Sequence, residues 1–227
     1  MKVDVIIPAY NEESSIALVL RDIPRSLVRE IVVVDNRSTD QTAARSREQG
    51  ATVLREEERG YGAACLKGIA YLAAKTDSPD IVVFLDADYS DHPTELDQLI
   101  QPILNGDAKM VIGSRVKKFR EKGSMTPQQV FGNWLATFLM RKIYRVKYTD
   151  LGPFRAIDFN TLKQIGMVDR NYGWTVEMQI KVAKQKIPFQ EVEVHYRKRI
   201  GVSKVSGTVK GTIMAGYKII KTILKYR

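Results

Sequence analysis

Ile81-Val82-Val83-Phe84-Leu85-Asp86-Ala87-Asp88 runs through five apolar residues and stops on two carboxylates. A short unbroken apolar run marks a strand covered on both faces, and ending it on Asp86 and Asp88 puts ionisable groups at the strand's carboxyl terminus. Similar runs at residues 3–7, 31–34, 52–54 and 110–112 also read as strands. Helical patterns at 14–21, 40–49, 62–74 and 93–104 separate them, with Asn11 and Ser38 as start signals and Asp91 ahead of Pro93 near a first turn. Strands that alternate with helices build βαβ units. The pattern therefore predicts an α/β fold: a single Rossmann-like, doubly wound, mainly parallel sheet flanked by helices.

A sheet of this kind binds its ligand in the crevice outside the carboxyl ends of its strands. Polar clusters stand at three of those ends: Pro8-Ala9-Tyr10-Asn11-Glu12, Asp35-Asn36-Arg37-Ser38-Thr39-Asp40, and Asp86-Ala87-Asp88. Carboxylates at i and i+2 on extended chain project to the same side, and a hard divalent cation relieves their repulsion best. Asp86 and Asp88 are thus candidate ligands for Mg2+ or Mn2+, an ion that keeps waters and takes further ligands from substrate phosphates. A nucleoside diphosphate compound is the substrate class this suggests. Asp35 can accept hydrogen bonds from a base or a ribose, or else cap the next helix, a role for which Ser38 and Asp40 are better placed. Tyr10 can cover a base with its ring or stand as an ordinary rim aromatic.

Arg59-Gly60-Tyr61-Gly62 opens a helix, and its glycines predict a close backbone approach to a bound anion. Two glycines fall short of the three-glycine dinucleotide fingerprint, which argues against a nicotinamide cofactor, and no phosphate-binding Gly-Lys-Ser/Thr loop is present. His92 and His195 are too few and too separated for a zinc cluster. Cys65, the one cysteine, sits in a helical pattern and reads as core; alone, it excludes an intrachain disulfide and fits a reducing cytoplasm.

With 227 residues and 44% apolar content, the chain can bury a sizeable core. No apolar run approaches the roughly 18 residues of a membrane span, and the run at 3–7 is broken by Pro8 before it can act as a secretion signal. The expected location is therefore the cytoplasm. The net charge of +10 is unevenly spread, with a balance of −7 over residues 1–113 and +17 over residues 114–227. Nucleic acid, an anionic membrane surface and phosphorylated substrates are the three partners such a basic half invites. No recognised nucleic-acid motif accompanies the charge, and the expectation is that the chain binds no nucleic acid.

The basic half loses the alternation. Val130, Phe131, Trp134, Leu135, Phe138, Leu139 and Ile143 recur at helical spacing beside Arg141, Lys142, Arg145 and Lys147; Val209, Ile213, Tyr217, Ile220 and Leu224 form a second stripe, with lysines mostly elsewhere on the wheel. Both have the pattern of basic amphipathic helices that lie in a membrane interface, and the alternative is that each stripe packs on the sheet while its lysines face water. Between them, residues 197–204 gather four cations around Gly201, a loop able to close over a pyrophosphate or simply to sit in water.

Taken together, these blocks resemble family 2 of the inverting nucleotide-sugar glycosyltransferases, within it the dolichyl- or polyprenyl-phosphate hexosyltransferase branch. The resemblance spans almost the whole chain. It rests on the order and spacing of Ile6 through Glu12, Asp35 through Thr42, Gly60-Tyr61-Gly62-Ala63-Ala64, Leu85 through Pro93, Ile112-Gly113-Ser114-Arg115, Asp150-Leu151-Gly152-Pro153-Phe154-Arg155, Gly173 through Glu177, and Gly201 through Lys204. It departs at Asn36-Arg37, where many relatives carry Asp and Gly, and at Gln128-Gln129-Val130-Phe131 before Gly132-Asn133, a stretch in which lipid-phosphate relatives often place an Arg and a Ser.

The resemblance implies a GT-A fold in one domain over residues 1–227, with 1–113 binding the nucleotide-sugar and 114–227 the acceptor. It implies that Pro8, Ala9, Tyr10, Glu12, Asp35, Asn36 and Gly62 hold the donor's nucleotide. Asp86, Ala87 and Asp88 would sit at the diphosphate and its Mg2+ or Mn2+. Arg115, Arg199, Ser203 and Lys204 match positions near the acceptor phosphate and a closing loop, Ser90 a polar group near the metal, and Asp150, Arg155 and Glu177 blocks that line the site. The implied reaction is hexose transfer, glucose or mannose, from a UDP- or GDP-sugar to a lipid phosphate, with peripheral contact at the inner face of the membrane. A hydroxyl acceptor, with Asp150 or Glu177 as base, or nucleotidyl transfer are the competing readings.

Overall fold

The computed structural model describes residues 1–201 and 209–227, with side chains of the second stretch from residue 214 onward. Seven strands form one mixed sheet in the order β3-β2-β1-β4-β6-β5-β7. Six run parallel to their neighbours of the same sense: β1 (Val3–Ala9), β2 (Glu30–Asp35), β3 (Thr52–Arg55), β4 (Ile81–Phe84), β5 (Met110–Ser114) and β7 (Phe189–Glu193). β6 (Arg155–Asp158) lies antiparallel between β4 and β5. The sheet thus takes strands from both halves of the sequence, and the α/β, mainly parallel expectation holds.

Alternation along each strand explains the apolar runs. In β1, Val5 and Ile7 face the layer of α1 (Ile16–Asp22) and α4 (Leu96–Leu104), whereas Ile6 faces α3 (Tyr61–Ala73) and the layer of later helices. Val33 and Val83 follow the first pattern, Val32, Val34, Val82 and Phe84 the second. Because each face meets helices, apolar residues fill both faces and the period of two disappears from the sequence. α2 (Thr42–Glu48) follows β2, while α5 (Pro127–Tyr144), α6 (Phe159–Ile165), α7 (Trp174–Lys184) and α8 (Val209–Lys225) complete the second layer. A capping box fixes the start of α5: the Gln129 amide donates to the Thr126 hydroxyl, and the Thr126 amide to the Gln129 side chain.

β6 and β7 stand where no strand is apparent in the sequence. β7 lies at the sheet edge, and its Phe-Gln-Glu-Val-Glu carries the charge an edge tolerates. β6 opens on Arg155, fully buried, whose guanidinium donates to the carbonyls of Gly152, Leu151 and Thr175. A buried arginine is retained only where its donors are met, and here they pin the loop before β6 to the start of α7. Arg155→Met removes these donors and leaves the carbonyls unpaired. The expected loss of unfolding free energy in urea is about 3 kcal/mol, with little change in the slope of the transition.

Candidate active site

β1 and β4 are neighbours from which the chain leads in opposite directions along the sheet, β1 on to β2 and β4 on to β5, which opens a crevice at their carboxyl ends. A cleft of about 470 Å3 occupies it, walled by Pro8, Ala9, Tyr10 and Glu12 from β1 and its loop, by Asn36, by Arg59 through Tyr61, and by Asp86, Ala87, Asp88 and Arg199. Volumes of this size suit small-molecule ligands.

Left-handed backbone at two non-glycine residues shapes the rim. Asn11 (φ 53°) turns the chain after β1 so that its side chain accepts from the Thr39 amide at 2.8 Å, while the Glu12 amide donates to Thr42 Oγ1 at 2.8 Å. The β1 and β2 loops are thereby tied together. Tyr89 (φ 63°) turns the chain after Asp88, bringing the Ser90 amide and hydroxyl to Asp88 Oδ1 at 2.9 and 2.6 Å. Such turns cost backbone strain that the surrounding hydrogen bonds hold in place. The Arg197 guanidinium packs on the Tyr89 ring at 3.3 Å and donates to the carbonyls of Tyr89 and Asp91.

The acidic pair is held asymmetrically. Asp86 receives the Tyr61 hydroxyl at 3.1 Å; Asp88 receives Ser90, and its Oδ2 lies 3.1 Å from Arg199. The same Arg199 guanidinium bonds Glu12 at 2.9 Å, so one cation from a distant loop joins the ends of β1 and β4. Burial, then the charge of Asp88, pushes the Asp86 carboxyl up to about 7. Two carboxylates this close, in a cleft that already disfavours the second charge, are a donor set for a divalent cation, and the residues fit that group.

Several expected site residues lie elsewhere, and the cleft's walls do not include Asp35, Gly62, Arg115, Asp150 or Glu177. Asp35, buried at the end of β2, accepts the Ser38 amide at 3.1 Å, as a turn residue does. Asn36 does border the cleft, yet its amide group is engaged with the carbonyls of Glu56 and Glu58 and the amide of Gly60. A Cβ on Gly60 or Gly62 would stand 2.1 Å from the carbonyl oxygen of Arg170 or Asp169. These glycines admit the 169–171 loop, a use of the missing Cβ that their sequence reading did not include, and Gly60 also borders the cleft. Both uses need a missing Cβ, and sequence does not separate them.

Arg115 and Asp150 find each other. The guanidinium bonds both Asp150 oxygens at 2.6 and 2.8 Å, and the Arg115 amide adds a third bond at 2.7 Å. Burial opposes ionisation of Asp150, but Arg115 still holds its carboxyl below the ordinary range. Glu177, in the first turn of α7 and fully buried, accepts the amides of Val168 and Asp169, the Tyr226 hydroxyl and Lys181. It fixes the loop that carries Asn171 and Tyr172 to the cleft wall. Ser203 and Lys204 fall outside the described residues. Tyr61, Arg59, Gln129, Asn171 and Tyr172 line the cleft without a sequence reading that assigned them there. Arg59 stacks on the Tyr10 ring at 4.3 Å, a pairing with no sequence signal because it joins separate loops.

The profile of the family described as Glycosyl transferase family 2 matches residues 4–166. An uncharacterised glycosyltransferase of Mycobacterium tuberculosis is 35% identical over 216 residues, 94% of each chain. The dolichyl-phosphate hexose transferase of Haloferax volcanii is 31% identical over 230 residues, covering 98% of this chain and 94% of that one. Among solved structures, glucosyl-3-phosphoglycerate synthase from Mycobacterium tuberculosis, in complex with Mn2+, UDP and phosphoglyceric acid, superposes with a TM-score of 0.80 at 23% identity, covering 99% of this chain and 78% of that chain. That likeness establishes the fold.

Gly62→Ala separates the two uses of the glycine. With the 169–171 loop pushed off, the melting temperature falls, by roughly 4–8 °C for each kcal/mol in a small domain and somewhat less here. The donor KM rises with it. A variant that melts as the parent does while donor binding is lost restores the ligand role.

Proposed function

We propose, from the premise that the chain belongs to glycosyltransferase family 2, that it moves a hexose, glucose or mannose, from a UDP- or GDP-sugar to a polyprenyl or dolichyl phosphate. The observation that carries the acceptor half is the state of its carboxylates. A hydroxyl acceptor needs a base, and the two carboxylates proposed for that role are engaged: Asp150 by Arg115, Glu177 by two amides, a tyrosine and a lysine. A phosphate acceptor is ionised at neutral pH and needs only positioning and charge neutralisation. The Haloferax relative's dolichyl-phosphate substrate class agrees with this reading.

In the reaction an acceptor phosphate oxygen attacks C1 of the hexose from the face opposite the diphosphate, the C1–O bond to the diphosphate breaks, and the configuration inverts. Asp86 and Asp88 would hold Mg2+ or Mn2+, and that ion would supply positive charge to the departing diphosphate. Tyr61 orients Asp86, and Ser90 orients Asp88. Arg199, already on Asp88 and Glu12, keeps a cation at the junction of β1 and β4 where the diphosphate's charge gathers. Tyr10, with Arg59 on its ring, provides a stacking face for the base, and Pro8, Ala9 and Asn36 complete that wall. No helix among the described residues is long and apolar enough to cross a membrane; the reaction at the cytoplasmic face is reached by peripheral contact.

Purified protein with Mn2+, sugar-labelled UDP- or GDP-hexose and polyprenyl phosphate should deliver label into the organic phase as an acid-labile product. Asp88→Ala should lower turnover roughly a thousandfold, several kcal/mol of charge stabilisation. Label found only in a water-soluble or acid-stable product overturns the acceptor, and release of pyrophosphate instead of UDP or GDP overturns glycosyl transfer. In a melting assay, stabilisation should require one nucleotide and the metal together, since binding to the native state adds RT ln(1 + [L]/Kd).

A further inference from the structure

A second cavity, of about 430 Å3, lies between the 168–171 loop and the last turns of α8. Four cations stand in its walls: Arg170 from the loop, and Lys218, Lys221 and Lys225 at i, i+3 and i+7 along the helix. Neither Arg115 nor Arg199, the arginines expected near the acceptor phosphate, is among them. Two of the four are matched. Lys218 meets Asp169 at 2.9 Å, and Arg170 Nε meets Glu58 at 2.7 Å, which leaves the terminal nitrogens of that guanidinium free to donate. Lys221 and Lys225 are exposed and bond no carboxylate among the described residues.

Like charges one turn apart on a helix repel, and here no acidic neighbour offsets the repulsion. A concavity that gathers unmatched amines and a guanidinium from two elements is complementary to a compact anion, and a phosphate group, with its charge and its acceptor oxygens, suits such donors best. The size is that of a pocket for a small molecule. Because these cations border a cavity, the matching ligand is one that enters it.

The two cavities share a wall. Asn171 lines both, with Tyr172 beside it in the cleft and Arg170 beside it in the second cavity. The loop they occupy is fastened along its length: the Val168 and Asp169 amides donate to Glu177, the Asn171 amide donates to Asp169 Oδ1 at 2.8 Å, and the Arg170 carbonyl accepts the Ala63 amide at 2.9 Å, in the first turn of α3. A ligand held between Arg170 and the α8 lysines therefore bears on the segment that presents Asn171 and Tyr172 to the cleft. Fixing that segment in place prepares the cleft wall before the donor arrives.

We infer that this cavity is a second ligand site, for a small soluble phosphate ester, and that its occupancy tightens nucleotide binding in the cleft through the 168–172 loop. The site goes beyond the hexosyl-transfer reading, and its coupling rests on that reading for the nucleotide.

Glycerol 3-phosphate is a suitable probe. Titrated into metal-free protein in a calorimeter, it should bind saturably, and more weakly as sodium chloride is added. Lys221→Gln with Lys225→Gln should weaken this binding roughly tenfold or more while melting temperature and circular dichroism stay at the parent values. With Mg2+ present, saturating glycerol 3-phosphate should lower the Kd of UDP or GDP about threefold, and the nucleotide should lower the Kd of the ester by the same factor, since linkage is reciprocal. K221Q/K225Q should lose that effect and keep its nucleotide affinity in the absence of the ester. No saturable binding, or binding undiminished in K221Q/K225Q, overturns the site. Nucleotide affinity that the ester leaves unchanged overturns the coupling, and affinity that it weakens does so as well, being the mark of competition in the cleft. Vesicles of phosphatidylglycerol that bind where the soluble ester does not assign the cations to a lipid headgroup and overturn the inference. Ester binding that K221Q/K225Q removes, with neither nucleotide bound under any condition, supports the site and overturns the nucleotide-sugar reading instead.

Discussion

Two carboxylates at the end of a strand that is buried on both faces are the constraint from which the site follows. β4 has no polar position along its length, so its charge collects where it leaves the sheet, and Asp86 and Asp88 meet in a cleft that solvates them poorly. The surroundings relieve part of that cost, and do so unequally. A tyrosine hydroxyl serves one carboxylate; a serine and an arginine serve the other. Because Arg199 also grips Glu12, relief of the pair becomes a fastening between β1, β4 and a loop more than a hundred residues further on.

The basic half of the chain resolves into separate tasks once its partners are known. Arg115 is spent on Asp150, Arg197 on Tyr89 and the carbonyl of Asp91, and Arg155 on the carbonyls before β6 and α7. Only part of the excess positive charge is left for ligands or surfaces. A net charge near +17 over 114 residues therefore overstates the electrostatic pull on an incoming phosphate.

What could be read from residues alone was whatever local pattern determines. Strands covered on both faces read as apolar runs, and the carboxylates ending one of them were visible as such. β6 escaped because Arg155, a charged residue, begins it, and nothing in four residues reveals the carbonyls that satisfy its guanidinium. The same limit applies within the site. Tyr10, Glu12, Asp86 and Asp88 stand at strand ends, where topology places ligands; Asn171 and Tyr172 arrive on a loop positioned by Glu177, whose carboxylate is invisible in sequence as a structural acceptor. Val130, Phe131 and Trp134 fitted a core stripe and an interface stripe equally well, and only the placement of α7 and α8 divides the helix into an inner and an outer face.

Asp91 carries the logic of the acidic corner one step further. It is buried, and neither of its oxygens has a hydrogen-bond partner among the described residues. Burial first, then the charges of Asp86 and Asp88, pushes its carboxyl well above the ordinary range. An acid whose proton is held more tightly folded than unfolded draws stability away from the native state as pH climbs above the usual carboxylate range, since the unfolded chain releases that proton more readily. Positive charge gathered in the cleft acts in the opposite direction on Asp86 and Asp91, lowering the field that retains their protons. Charge in the cleft and stability of the fold are therefore linked through the same few carboxylates, and the strand end that makes the site is also where the native state is most sensitive to what the site contains.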